Sequence, residues 1–195
     1  QVLYISPLRA LATDVERNLR APLIGIEQVA LRLGEQPQSI TTAIRTSDTP
    51  AAERQRMARK PPDILITTPE SLFLLLTSQA GQFLKDVRTV IIDEIHSVAG
   101  SKRGSHLSLS LQRLDHLTQR PAQRIGLSAT VTPVQTVAEF LHAGSDVRIV
   151  QPELDKPIEL SLTVPLADMT AFDEPADGQP RRASIWPAVE SSILS

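Results

Sequence analysis

The sequence predicts an α/β fold with a mostly parallel sheet. Short, continuous apolar runs alternate with stretches of helical periodicity. Four of those runs end in a small polar cluster, and in open α/β sheets ligands bind at the carboxyl ends of the strands. At 195 residues, with 41% hydrophobic and 22% charged residues, the chain can bury one full core with length to spare.

Val2-Leu3-Tyr4-Ile5 is an unbroken apolar run, as expected of a strand covered on both faces. Ser6-Pro7 then reads as a helix start, with Leu8, Leu11, Ala12, Val15 and Leu19 on one stripe. A second strand fits Ser39 to Arg45, and Thr49-Pro50 opens a helix to about Lys60. Asp63 to Thr67 is the third strand, followed by a helix opened by Thr68-Pro69. Val87 to Ile92 is the fourth and ends on Asp93-Glu94. Gly100 to Arg103 reads as a solvated loop before a helix from Gly104 to Leu117. Ile125 to Leu127 is a fifth strand ending on Ser128-Ala129-Thr130. Thr132-Pro133-Val134-Gln135 has the pattern of a capping box, and its helix should stop near Gly144. Val147 to Val150 fits a sixth strand, and Ile158, Leu160, Leu162 and Val164 alternate as a half-solvated strand does. Residues 165–182 lack periodicity and read as a linker. Helical spacing resumes at Ile185, Trp186, Val189 and Ile193, as in the first helix of a second domain.

With aromatics at 3%, the core must be built from Leu, Ile, Val and Ala. The absence of cysteine removes disulfides, zinc-thiolate sites and thiol nucleophiles together. The net charge of −2 shows no basic excess, but Asp168, Asp173, Glu174 and Asp177 fall in the linker and leave the remainder at +2. No apolar run approaches the roughly 20 residues of a membrane span.

Among the polar clusters, Asp93-Glu94 matters most. A carboxylate at the end of a buried strand is costly unless a cation pairs with it. Mg²⁺ bridging nucleotide phosphates is the natural partner for Asp93, while Glu94 is placed to activate a water. The plain alternative is an acidic pair that caps the next segment. Ser6-Pro7 and Thr68-Pro69 each read as an N-cap hydroxyl with proline at the first helical position. Free N–H groups at such helix ends bind phosphate without lysine, and Arg9 adds a cation beside the first. Simple capping is again the alternative, and it is the reading adopted for Thr46 to Thr49. Ser128 and Thr130 offer hydroxyls to a neighbouring carboxylate, in a network that His96 can join. His106, His116 and His142 have no metal-like spacing and receive no role.

Together these motifs resemble those of the superfamily 2 helicases. Ser6-Pro7-Leu8-Arg9-Ala10-Leu11 is similar to motif Ia and Thr68-Pro69-Glu70-Ser71-Leu72 to motif Ib. Asp93-Glu94-Ile95-His96 resembles a DExH-type Walker B, and Ser128-Ala129-Thr130 motif III. Arg45 to Ala52, Pro61 to Thr77, Gly126 to Pro133 and Ser184 to Pro187 narrow the resemblance to the large helicase-related (Lhr-type) DNA helicases. The resemblance implies a three-layer RecA-like P-loop NTPase domain, partial over residues 1–164, then the linker and the start of a second RecA-like domain over 183–195. It implies ATP and Mg²⁺ as cofactors, with Asp93 holding the metal and Asp93, Glu94 and His96 facing the nucleotide. Glu94 and Asp93 are then catalytic, while Ser128, Thr130 and His96 couple nucleotide to strand. Ser6, Pro7, Arg9, Thr68, Pro69 and Glu70 contact nucleic acid. The partners implied are single-stranded DNA and duplex junctions, in DNA repair in a cytoplasmic, nucleoid-associated setting.

Two departures stand out. Ser47 occupies a position where glycine is expected, a strain if that turn needs positive φ. None of the four lysines, Lys60, Lys85, Lys102 and Lys156, follows a glycine, so these residues contain no phosphate loop of the form G-x-x-x-x-G-K-[ST]. The strand and helix that carry that loop are expected before Gln1, and the second motor domain after Ser195. The leading expectation is therefore a helicase piece that is incomplete as a catalyst. The competing ones are a RecA-like nucleic-acid-binding module without ATPase activity, and a metal-dependent phosphohydrolase using Asp93 and Glu94, which lacks supporting ligands.

Overall fold

The computed structural model describes residues 1–142, 147–151, 160, 162, 164 and 186–194. Five strands form one sheet: β1 (Val2–Ile5), β2 (Thr42–Arg45), β3 (Ile64–Thr67), β4 (Thr89–Ile92) and β5 (Gln123–Gly126). Every pairing is parallel, and the spatial order is β2-β3-β1-β4-β5. The registers align all five strands at one level. Thr42, Ile64, Val2, Thr89 and Gln123 form one row, and Arg45, Thr67, Ile5, Ile92 and Gly126 the other. The segments after the strands therefore leave the sheet side by side. The chain goes one way from β1 to β2 and the other way from β4 to β5. This puts the topological switch between β1 and β4, where such sheets open a crevice.

The helices are α1 (Arg9–Arg32), α2 (Ala51–Arg59), α3 (Pro69–Leu76), α4 (Ile95–Ala99), α5 (Lys102–Leu117) and α6 (Val134–Leu141), with a 3-10 turn over Gln79–Asp86. A separate compact unit, Val150–Ser195, contributes α7 (Trp186–Leu194). The core of the first unit is aliphatic, as the composition requires: Leu3, Ile5, Leu65, Leu72, Val90, Ile92, Ile95, Leu107, Leu111 and Leu114 are all buried, with no aromatic among the buried hydrophobics. Leu3 and Ile5 alternate with half-buried Val2 and Tyr4, so the central strand fills one face more completely than the other.

Several expected boundaries move. β2 starts at Thr42 rather than Ser39, and β4 at Thr89 rather than Val87, because pairing begins only where the neighbouring strands do. The fifth strand runs two residues earlier than Ile125. Lys102 and Arg103 lie in the first turn of α5 instead of a loop, since Ser101 caps that helix by accepting from the Gly104 N–H at 3.1 Å. The short α4 was not expected at all. Val147 to Val150 form no strand, nor do Leu160, Leu162 and Val164. The expected helix stop at Gly144, Ile158, the linker 165–182 and Ile185 lie outside the described residues; α6 ends at Leu141.

Three expected caps are also absent. The N-cap of α1 is Leu8, not Ser6, whose hydroxyl donates to the Leu8 carbonyl at 3.1 Å. That of α2 is Pro50; the Thr49 hydroxyl accepts from the Thr46 N–H at 2.9 Å and donates to the Ile44 carbonyl at 3.2 Å, closing the turn instead. α6 starts after Pro133, whose bond to Thr132 is cis, with no side-chain cap. In the first two cases a pattern suited to a helix start serves the turn before it. Ser47 does not take a positive φ, so the strain anticipated there is not present.

Candidate nucleotide and nucleic-acid site

Backbone hydrogen bonds extend the sheet one residue past the strands. The Ser6 N–H donates to Thr67 O, Asp93 N–H to Ile5 O and Leu127 N–H to Ile92 O, each at 2.9 Å, and Ile95 N–H donates to Leu127 O at 3.0 Å. Thr68, Ser6, Asp93 and Leu127 thus stand in sequence across the carboxyl edge, one strand apart. At the usual strand spacing Thr68 and Asp93 are separated laterally by about 10 Å. All four polar clusters reach one edge.

Asp93 accepts from the Glu94 N–H at 3.0 Å through Oδ1. Burial, and then a hydrogen bond to Asp93, push the Tyr4 phenol up from its ordinary range. Tyr4 is the only tyrosine, and the sequence reading passed over it. A phenol inside a strand needs a partner for its hydroxyl, and that was the available signal. Glu94 has φ 46° and ψ 42°, a left-handed conformation uncommon outside glycine, and starts α4. Its Oε2 lies 3.4 Å from His96 Nε2, and His96 Nδ1 lies 3.1 Å from Ser128 Oγ. The Ser128 hydroxyl also lies 2.8 Å from the Ala129 carbonyl. His96 therefore joins the segment after β4 to the segment after β5. The hydroxyls of Ser128 and Thr130 do not bond a carboxylate: Ser128 is taken by His96, and exposed Thr130 makes no hydrogen bond among the described residues.

On the other side of the switch, Thr68 caps α3 as expected. Its hydroxyl accepts from the Ser71 N–H at 3.4 Å and donates to Ser71 Oγ at 3.2 Å, with Pro69 buried at the first helical position. Ser6 is fully buried. Arg9 is exposed, and its guanidinium pairs with Asp48 at 2.6 Å, a partner the sequence reading did not assign. The Arg9 guanidinium also holds the Asp48 carboxyl below its usual range. Glu70, expected to touch nucleic acid, forms a two-pronged ion pair with Arg103, at 2.5 and 3.0 Å. Two hollows of about 400 and 500 Å³ lie along the second half of α1, away from this edge.

The family model for the DEAD/DEAH box helicases matches residues 1–140. The chain belongs to the DEAD/DEAH box helicase family. Within that family it is 56% identical over 194 residues to the "Lhr helicase/ probable uracil glycosylase" of Mycolicibacterium smegmatis, and 52% identical over 200 residues to the "Lhr helicase/uracil glycosylase" of Escherichia coli. Both matches span the whole of this chain but only 12% and 13% of those relatives. The solved structure of Mycobacterium smegmatis helicase Lhr bound to ssDNA and AMP-PNP matches with a TM-score of 0.81 and 56% identity, over 100% of this chain and 24% of that one. The expected Lhr-type resemblance and RecA-like α/β fold both hold. Among the described residues no helix is long and apolar enough to cross a membrane.

Proposed function

We propose that residues 1–164 are most of the first motor domain of an ATP-dependent DNA helicase that moves along single-stranded DNA. In this reading 165–182 is a linker and 183–195 opens a second RecA-like domain; a role in DNA repair at the nucleoid belongs to the same reading. The observation that carries it is the position of His96, between Glu94 and Ser128. A residue in contact with both can pass a change at the carboxylates to the next loop, as a motor requires.

Asp93 suits Mg²⁺ chemically: it is a hard oxygen ligand, half-buried at a strand end, with Tyr4 and the Glu94 N–H steadying it. When bound, the metal neutralises charge on the nucleotide phosphates. Glu94, steered by its left-handed backbone and by His96, orients a water and accepts its proton. Thr68 and the first turn of α3 present the positive end of a helix dipole to a strand phosphate. Arg9, exposed and paired only with Asp48 among the described residues, exchanges that carboxylate for a phosphate at little cost.

The test uses a longer protein containing this chain together with a phosphate loop. Glu94→Gln should keep nucleotide binding and lose strand-stimulated hydrolysis by ~10²–10⁴-fold, the usual effect of removing a general base. Near-wild-type hydrolysis by that variant refutes the role of Glu94, and no strand-stimulated hydrolysis by the parent protein refutes the helicase reading.

A further inference from the structure

Asp93 is a half-buried carboxylate without a cation. Among the described residues no lysine, arginine or histidine pairs with it. The Glu94 N–H donates to Oδ1 at 3.0 Å, but that donor belongs to the next residue along the chain and turns with it. Glu94 itself leaves the strand in a left-handed conformation. A contact that fixes the carboxylate against the sheet must therefore come from another strand.

The register of β1 on β4 supplies one. Tyr4 pairs with Ile91, so the two side chains share a face of the sheet. That face is the half-buried one, with Val2 and Tyr4 on β1 and Thr89 and Ile91 on β4, while Leu3, Ile5, Val90 and Ile92 are buried on the other. The Asp93 N–H continues the ladder by donating to Ile5 O at 2.9 Å, which carries the alternation one step further and places Asp93 on the face of Tyr4. Diagonal neighbours of this kind lie about 7–8 Å apart, within reach of an aromatic side chain. The phenol hydroxyl accordingly bonds Asp93. Phenylalanine would fill the same space, so the hydroxyl is what the position adds. A phenol keeps its proton at neutral pH, its ordinary pKa being about 10, and is therefore the donor to an ionised carboxylate. Its strand is a firm support, because β1 is paired on both sides and Leu3 and Ile5 anchor it in the core.

We propose that Tyr4 is a positioning residue, whose hydroxyl reaches across from β1 and orients the Asp93 carboxylate for the metal of the nucleotide. The inference rests on the reading of Asp93 given above. It gives Tyr4 a share in metal affinity and none in nucleotide contact, since partners that orient a metal ligand change metal affinity or activity by ~10–100-fold when they are removed.

The test uses the longer protein with its phosphate loop and a fluorescent non-hydrolysable ATP analogue, whose affinity is measured once with Mg²⁺ and once with EDTA. The ratio of the two is the gain due to the metal, and a general loss of folding or of nucleotide contact cancels from it. Tyr4→Phe keeps the ring and loses only the hydroxyl. Its affinity in EDTA should match wild type, and its gain should shrink by about tenfold. Asp93→Asn should remove the gain, and adding Tyr4→Phe to it should change nothing further. A Tyr4→Phe variant with the wild-type gain overturns the proposal, as does one whose two affinities fall together, the mark of a packing role. No gain in the wild-type protein, or a full gain in Asp93→Asn, refutes the metal reading of Asp93 and this proposal with it.

Discussion

Glu94 combines an unusual backbone with the side chain proposed as the base. Holding a non-glycine residue at φ 46° costs about 1–2 kcal/mol, which the flanking bonds of Asp93 N–H to Ile5 O and Ile95 N–H to Leu127 O must offset. The sequence shows which carboxylates end β4, because an apolar run stopping on Asp-Glu is visible in one dimension. It does not show the left-handed turn, the approach of His96 or the proximity of Tyr4, since each depends on how the segment after β4 is packed. Thr68 is the residue whose two roles separate most cleanly. Thr68→Ala should lower stability by ~1 kcal/mol as a lost N-cap. If the helix end holds a phosphate, it should lower strand affinity as well. Melting temperature and salt-titrated affinity, measured together, decide; a stability loss with unchanged affinity leaves Thr68 as an ordinary cap.

At the scale of elements, hydroxyl-proline pairs mislead because a Ser or Thr before proline can bond forwards or backwards. Thr68 bonds forwards into α3, Ser6 forwards only as far as the Leu8 carbonyl before α1, and Thr49 backwards onto the turn before α2. Only the neighbouring backbone chooses between them. The junction of β2 and β3 is held by a reciprocal pair: Asp63 Oδ2 accepts from the Thr41 N–H and hydroxyl, both at 2.8 Å, and the Asp63 N–H donates to Thr41 Oγ1 at 3.1 Å. The Thr41 N–H, and then its hydroxyl, hold the Asp63 carboxyl below its usual range. A depressed folded value means that the carboxylate stabilises the fold above the unfolded value of about 3.9 and stops doing so as pH falls through the folded one. Asp63→Asn should therefore melt below wild type at neutral pH, and the gap should close on acidification. A gap independent of pH shows that the ionised carboxylate is not what ties the two strands.

For the whole molecule, the parallel sheet is legible because its three central strands are short apolar runs and each connection is helical. Strand order is not legible, since β2 and β3 fall on one side of β1 and β4 and β5 on the other through crossovers that leave no local pattern. The same scale governs catalysis. Within these 195 residues no phosphate loop is present, so purified 1–195 should not hydrolyse ATP above a Glu94→Gln control, with or without strand. Strand-stimulated phosphate release from that polypeptide would show that the carboxylate edge is competent alone.

The central place of β1 also has a consequence for the order of assembly. The earliest strand of these residues pairs with Ile64–Thr67 on one side and Thr89–Ile92 on the other. Contacts so distant along the chain close slowly, because the intervening loop entropy is lost before any pairing is gained. Until β3 leaves the ribosome, Val2-Leu3-Tyr4-Ile5 has neither of its neighbours, and both of its edges are open to foreign strands. The stretch that ends as the middle of the sheet is thus the one most in need of shielding while the protein is being made.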